Sequence, residues 1–267
     1  MSRFVTQTAA RSFVTVTERP GQAASGIQLE MLAARYAWAA SSASGKDVLE
    51  AGCGAGLGLP ILARAARSVH AGDIDADNLR AAVTACAEES DIQLHRFPAE
   101  QLPFPDESFD LVLLFEAIYY LPYAPRFFKE AYRVLRPGGS LLIVTVNPAW
   151  TGFNPSPFSV HYFSAGELLA ALEQANFATR VRGAFPENVG WMAAAIGWSR
   201  RAAVALNLVP RTMRGKALLK RMFYGRLNPL PRRLAESSGI APALEELDGT
   251  SATLSSYRVL YAQATKT

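Results

Sequence analysis

The sequence predicts an α/β fold built on a doubly wound, mostly parallel sheet. Three observations predict it: short apolar runs alternate with stretches of helical spacing from Asp47 onward, the connections between them are short, and 267 residues suit one such core with an elaboration. Crossovers between such strands are expected to be right-handed.

Before the alternation begins, Ile27, Leu29, Leu32, Ala33, Tyr36 and Ala40 follow helical spacing behind the turn residues Pro20, Gly21, Ser25 and Gly26. They predict a first helix over 27–40. Asp47–Glu50 reads as a buried strand, Leu57–Ala66 as a helix, Ser68–Gly72 as a second strand and Ala76–Glu88 as a second core helix. Ile92–Phe97 and Phe109–Leu114 are the third and fourth strands, followed by a helix over Arg126–Leu135. The turn Arg136-Pro137-Gly138-Gly139 stops that helix and releases Ser140–Val146 as a fifth strand. Glu167–Asn176 reads as a helix and Ala178–Phe185 as a strand, and the final apolar strand, Tyr257–Ala262, lies far downstream.

The formal net charge of +4 is unevenly spread. Between Asn188 and Ala235 there is no acid, yet Arg200, Arg201, Arg211, Arg214, Lys216, Lys220, Arg221, Arg226, Arg232 and Arg233 contribute ten cations, which leaves the rest of the chain at −6. This segment predicts a basic, mainly helical insertion (187–253) before the last strand, with 1–45 as an N-terminal helical cover and 46–186 plus 254–267 as the core. Its apolar stretch from Trp191 to Val209 is broken by Arg200-Arg201 and is too short to span a bilayer. The segment suits a cover over an acceptor pocket, a peripheral membrane contact through 190–233, or a subunit interface. No secretory signal pattern is read at the N-terminus, so a cytoplasmic protein is expected. The two cysteines, Cys53 and Cys86, form no metal-ligand spacing, and no metal is expected.

The strongest signal is DVLEAGCGAGLG, Asp47 to Gly58. A buried strand ends in Glu50, after which Gly52, Gly54 and Gly56 let the backbone turn sharply toward a ligand at a helix start. That much fits any nucleotide. A carboxylate in the turn suits a ligand carrying a sulfonium and an amino group better than a pyrophosphate. Asp73 ends the second strand, where a carboxylate can accept from both hydroxyls of a ribose.

With these residues, the linker LPFPDESFD (102–110) and the turn RVLRPGG (133–139), the chain resembles the class I, Rossmann-like S-adenosylmethionine-dependent methyltransferases. The resemblance is firm over about 47–146. It implies the seven-stranded sheet of that family and S-adenosylmethionine as cofactor, with S-adenosylhomocysteine as product. By position, Glu50, Ala51, Gly52, Cys53 and Gly54 would surround the methionine portion, with Leu114 and Phe115 beside it. Asp73 would hold the ribose, Ile74 an adenine face, and Ala99 and Glu100 the adenine edge, while Tyr36 would reach the site from the first helix. Many members carry an Asp before the Ala-Glu pair, where this chain has Pro98, and a His pair where Tyr119 and Tyr120 stand.

Chemistry in an open α/β sheet gathers beyond the carboxyl ends of the strands. Glu116, after the fourth strand, is the first candidate for a base or a substrate partner. His161 is the second, by its ordinary pKa, and Tyr119 a weaker third. The first helix, with Arg35, Tyr36 and Trp38, is expected either to cover the site or to pack on the sheet. The expected reaction is methyl transfer to an O or N atom of a small, sugar-, lipid- or phenol-like acceptor. Other readings remain: C-methylation, a nucleic-acid methyltransferase, an NAD-dependent oxidoreductase and a non-catalytic cofactor-binding protein. A nucleic-acid partner is disfavoured, because FEAIYY stands where an NPPY-type base-methylation motif would and no RNA-binding module is present.

Overall fold

The computed structural model describes residues 12–187, 227–234, 239–247 and 255–267. Of the expected helical insertion at 187–253, the stretches 188–226, 235–238 and 248–253 lie outside the described residues, and the described parts carry two short strands, Leu227–Pro229 and Glu245–Glu246.

Ten strands and five α-helices make up the described fold. The strands are β1 (Ala23–Ser25), β2 (Asp47–Ala51), β3 (Ser68–Asp73), β4 (Ile92–Arg96), β5 (Phe109–Phe115), β6 (Leu135–Val146), β7 (Phe177–Pro186), β8 (Leu227–Pro229), β9 (Glu245–Glu246) and β10 (Tyr257–Lys266). The helices are α1 (Gly26–Ser41), α2 (Leu59–Ala65), α3 (Ala76–Ala85), α4 (Ala124–Val134) and α5 (Ala165–Gln174).

The main sheet has the order β4-β3-β2-β5-β6-β10-β7-β9. Its first five strands are parallel neighbours, and β10 is antiparallel to both β6 and β7. The expected seven strands are present, and a two-residue eighth, β9, extends the edge beside β7. The chain runs outward from β2 through β3 to β4, then returns to the other side of β2 as β5. This reversal opens a crevice at the carboxyl ends of β2 and β5, where ligands of doubly wound sheets bind.

Strand side chains alternate between two cores, as a period of two requires. Val48, Leu111, Leu113 and Phe115 face the layer of α1 and α2, whereas Leu49, Val112 and Leu114 face Phe127 and Phe128 of α4 and Leu168 and Leu172 of α5. α1 starts where the sequence puts it because Ser25 and Gln28 form a capping box: Gln28 N–H donates to the Ser25 hydroxyl and Gln28 Oε1 accepts from Ser25 N–H at 2.9 Å. The same device, Ser164 with Glu167, opens α5. Arg136-Pro137-Gly138-Gly139 is a large bulge at the start of β6, with Gly138 at φ +75 in a left-handed turn.

The cover is more than a helix. β1 pairs antiparallel with β8, and the buried Leu230 and Leu234 that follow pack under α1, with Leu234 N–H donating to Leu57 O at 2.9 Å. Ahead of β1, residues 12–18 cross the carboxyl end of the sheet as a strap. Phe13 N–H donates to Asp75 at 2.8 Å, the Ser12 hydroxyl donates to the same oxygen at 3.0 Å, and the Asn78 amide donates to the Thr17 hydroxyl at 3.0 Å.

Candidate active site

One cavity of about 330 Å³ sits at the crevice, walled by the strap, α1, the turn after β2 and the ends of β3 and β5. Of the residues expected to hold the cofactor, Tyr36, Glu50, Gly52, Cys53, Gly54, Asp73, Ile74, Ala99, Glu100, Leu114 and Phe115 all line it. Ala51 is buried within β2 and does not reach the cavity wall.

Glu50 is the penultimate residue of β2 and only 1% exposed. The Tyr36 hydroxyl donates to its Oε1 at 2.8 Å, and Oε2 has no partner among the described residues. Tyr36 comes from α1, one turn after Leu32, and packs edge-on against Phe115 at 5.5 Å. The ring fits only because residue 58 is glycine, where a Cβ would come within 2.2 Å of it. Burial pushes the Glu50 carboxyl up to about 7, with Tyr36 and Arg35 pulling the other way. A buried carboxyl held in this range, with one oxygen free toward a cavity, is completed by a cationic donor.

Asp73 ends β3. Its two oxygens accept from Gly54 N–H at 2.9 Å and Asp75 N–H at 2.8 Å, and burial still holds its pKa above the ordinary carboxylate value. The amides of Gly52 and Cys53 donate to Gly72 O at 2.7 and 3.0 Å. Three N–H groups of the glycine turn are thus bonded back onto β3. A dinucleotide's pyrophosphate needs such amides free and would face two carboxylates here. An adenosyl sulfonium with an amino acid tail suits the same acceptors: its ammonium could donate to Glu50 Oε2, and its ribose hydroxyls could donate to the remaining lone pairs of Asp73. Gly52 (φ +73) and Gly54 (φ +57) hold left-handed backbone, and a Cβ at Gly54 would lie 2.8 Å from Thr17 of the strap.

At the far wall stands Glu116. It follows β5 with φ +51, a backbone conformation that non-glycine residues adopt rarely. The Tyr119 hydroxyl donates to Glu116 Oε2 at 3.0 Å, and burial raises the Glu116 carboxyl to about 7 against the pull of Arg35. Arg35 is itself buried, pairs with Glu18 of the strap, and leaves Nε without a partner among the described residues. Tyr119 also lines the cavity and stacks on Tyr162 at 4.7 Å. Burial lifts its hydroxyl pKa well above the ordinary value, so it serves as a donor.

His161 is placed differently. Its side chain is 53% exposed, its Nε2 lies 4.0 Å from Glu167, and it is not part of the cavity wall. Trp38 packs against Tyr261 at 4.9 Å and does not line the cavity either. The sequence reading missed Thr17, Glu18 and Asn78 as wall residues, because the strap carries no periodic pattern and its bonds to 75 and 78 span more than sixty positions. No group of side chains able to hold a metal ion is found among the described residues.

Residues 49–143 match the methyltransferase domain family. A protein of Mycolicibacterium smegmatis named as a probable S-adenosylmethionine-dependent methyltransferase is 40% identical over 148 residues, 53% of this chain and 56% of that protein. The phthiotriol/phenolphthiotriol dimycocerosates methyltransferase 1 of Mycobacterium ulcerans is 41% identical over 109 residues, 40% of each chain. The chain therefore spans about half the length of the first of these relatives and less of the second. The crystal structure of YcgJ from Bacillus subtilis shares the fold, with a TM-score of 0.56 at 17% identity over 86% of this chain and 97% of that one. Over residues 49–143 the chain thus matches the methyltransferase domain family, and its central portion is similar to S-adenosylmethionine-dependent methyltransferases.

Proposed function

We propose that this protein methylates a hydroxyl oxygen of a small-molecule acceptor, with Glu116 receiving the hydroxyl proton. The observation that carries this reading is Glu116 itself, a buried carboxyl on the cavity wall, held in a strained backbone conformation with its pKa near 7. A base with that pKa is half ionised at neutral pH and well matched to proton removal. When bound, S-adenosylmethionine supplies a methyl group activated on sulfonium.

The chain's own residues do the rest. Glu50 and Asp73 would fix the two ends of the cofactor's adenosyl and amino acid portions, with Ile74, Ala99 and Glu100 along the adenine and Gly52 and Gly54 giving close backbone approach. Leu114 and Phe115 would pack beside the methionine portion. Tyr119 orients the Glu116 carboxylate through its hydroxyl, and Arg35 moderates the Glu116 pKa. The strap and α1 exclude water, so that alignment contributes to the rate. The relative named for a triol and a phenol derivative supports a hydroxyl acceptor over an amine.

The test is methyl transfer from labelled S-adenosylmethionine to a panel of phenols, aliphatic alcohols and amines, run with wild type and Glu116→Gln. O-methylated product that falls about 10²- to 10⁴-fold in the variant, with S-adenosylhomocysteine affinity kept, is expected. Equal turnover by the variant, or transfer confined to amines, overturns the reading.

A further inference from the structure

Large apolar side chains stand exposed at few places among the described residues, and three of them, Tyr123 (64% exposed), Phe158 (43%) and Val160 (56%), are each next in sequence to, or in contact with, a residue of the cavity wall. Tyr123 directly follows Leu121 and Pro122 of the cavity wall. Val160 N–H donates to Tyr119 O at 2.7 Å, which pins that loop to the neighbour of Glu116. Phe158 faces Phe13 edge-on at 6.4 Å, and Phe13 in turn meets Tyr120 at 5.5 Å. A run of aromatic rings thus leads from the cavity wall to the surface.

The rim is braced rather than loose. The Tyr120 and Ser156 hydroxyls are 2.6 Å apart, the Tyr162 hydroxyl accepts from Ser156 N–H at 2.7 Å, and the Ser159 hydroxyl donates to Ser156 O at 2.8 Å. Phe158 carries φ +70, which a bulky residue avoids, and that backbone holds its ring toward water. Strain and exposure at the same residue both oppose folding, so both point to a role in binding.

We infer that this rim is the seat of the acceptor's hydrocarbon chain: the acceptor is an amphiphile whose hydroxyl enters toward Glu116 and whose chain lies along Phe13, Tyr120, Phe158 and Val160. The inference rests on the O-methylation reading and adds the acceptor's class to it. The surface is too small for a second copy of the chain, because two aromatic rings and a valine bury at most several hundred Å², short of the ~800 Å² per partner of a stable dimer. Beyond the part of the cavity assigned to the cofactor, the wall carries the charged Glu116 and Arg35, so a polar head inside and an apolar tail outside match the acceptor's path.

The experiment uses 4-alkylphenols from ethyl to octyl as probes, with binding to the S-adenosylhomocysteine-saturated full chain measured by calorimetry and methylation measured separately. Affinity is expected to tighten about two- to fourfold per methylene over the first several carbons. Val160→Asp and Phe158→Gly should flatten that dependence while leaving S-adenosylhomocysteine affinity unchanged. Glycine accepts the left-handed backbone at 158, so the second variant keeps the test valid if the first folds poorly. Chain-length-dependent binding without methylation would leave the rim assignment standing and remove the O-methylation reading. Methylation with a KM independent of chain length would do the reverse. Variants that keep the chain-length dependence but lose sedimentation with phosphatidylglycerol vesicles, or lose a dimer, would overturn the assignment in favour of a membrane or a second copy.

Discussion

Replacing Glu50 by glutamine should stabilise the ligand-free protein and weaken cofactor binding at once. In the folded chain burial raises the Glu50 carboxyl from 4.5 to about 7. An acid whose folded pKa is raised favours the folded state only while protonated: its stability is fully present below pH 4.5 and is lost as pH rises through about 7. At about 1.4 kcal/mol per pKa unit, the penalty at pH 8 is about 3 kcal/mol. Glutamine keeps an oxygen for the Tyr36 hydroxyl and removes the charge. For a chain of this size about 2–4 °C accompany each kcal/mol, so Tm at pH 8 should rise by roughly 6–12 °C, with little change at pH 5. Titration with S-adenosylhomocysteine should show the opposite sign. Losing a hydrogen bond to a charged group costs about 1.5–3 kcal/mol, or roughly 10- to 150-fold in Kd. Thermal melts at the two pH values and calorimetry on one preparation give both readouts. Equal melting shifts at pH 5 and pH 8, or unchanged affinity, would refute the placement of an unpaired buried carboxyl oxygen facing the ligand.

Other outcomes follow from the same geometry. Arg35→Met removes the cation that lowers the Glu116 pKa, so the rising limb of the kcat/KM profile, centred near 7 in wild type, should move to higher pH; a limb that stays in place would detach Arg35 from Glu116. Gly72→Ala puts a Cβ 2.2 Å from the Phe97 ring, which itself lines the cavity, and should cost about 1–3 kcal/mol of stability in denaturant melts together with cofactor affinity. His161→Ala should leave kcat/KM within about twofold, since the ring is exposed away from the cavity; a drop of a hundredfold would restore it to the chemistry.

Much of the fold was legible because each feature is local. Short apolar runs marked β2, β3 and β5, and helical spacing behind the turn residues Pro20, Gly21, Ser25 and Gly26 marked α1. Glu50 and Asp73 were legible as cavity-wall residues because each closes an apolar strand, Glu50 directly ahead of the glycine turn. What escaped depends on distant pairing. The strap is held to Asp75 and Asn78 by bonds across sixty positions, β1 finds β8 two hundred residues away, and the wedging of β10 between β6 and β7 is set by the whole sheet. The pairing of Arg35 with Glu18 and the positive φ of Glu116 are of the same kind: neither leaves a pattern in neighbouring residues. His161 is of a residue type that often serves as a base, but only the packed structure shows that its ring stands outside the cavity.

Calorimetric titration of the purified chain with S-adenosylhomocysteine and, in parallel, with NAD⁺ is the most direct measurement. The arrangement of Glu50, Asp73 and the back-bonded glycine turn predicts one-site binding of S-adenosylhomocysteine that Asp73→Ala weakens at least tenfold, and no heat with NAD⁺. Saturable NAD⁺ binding with no response to S-adenosylhomocysteine would contradict it.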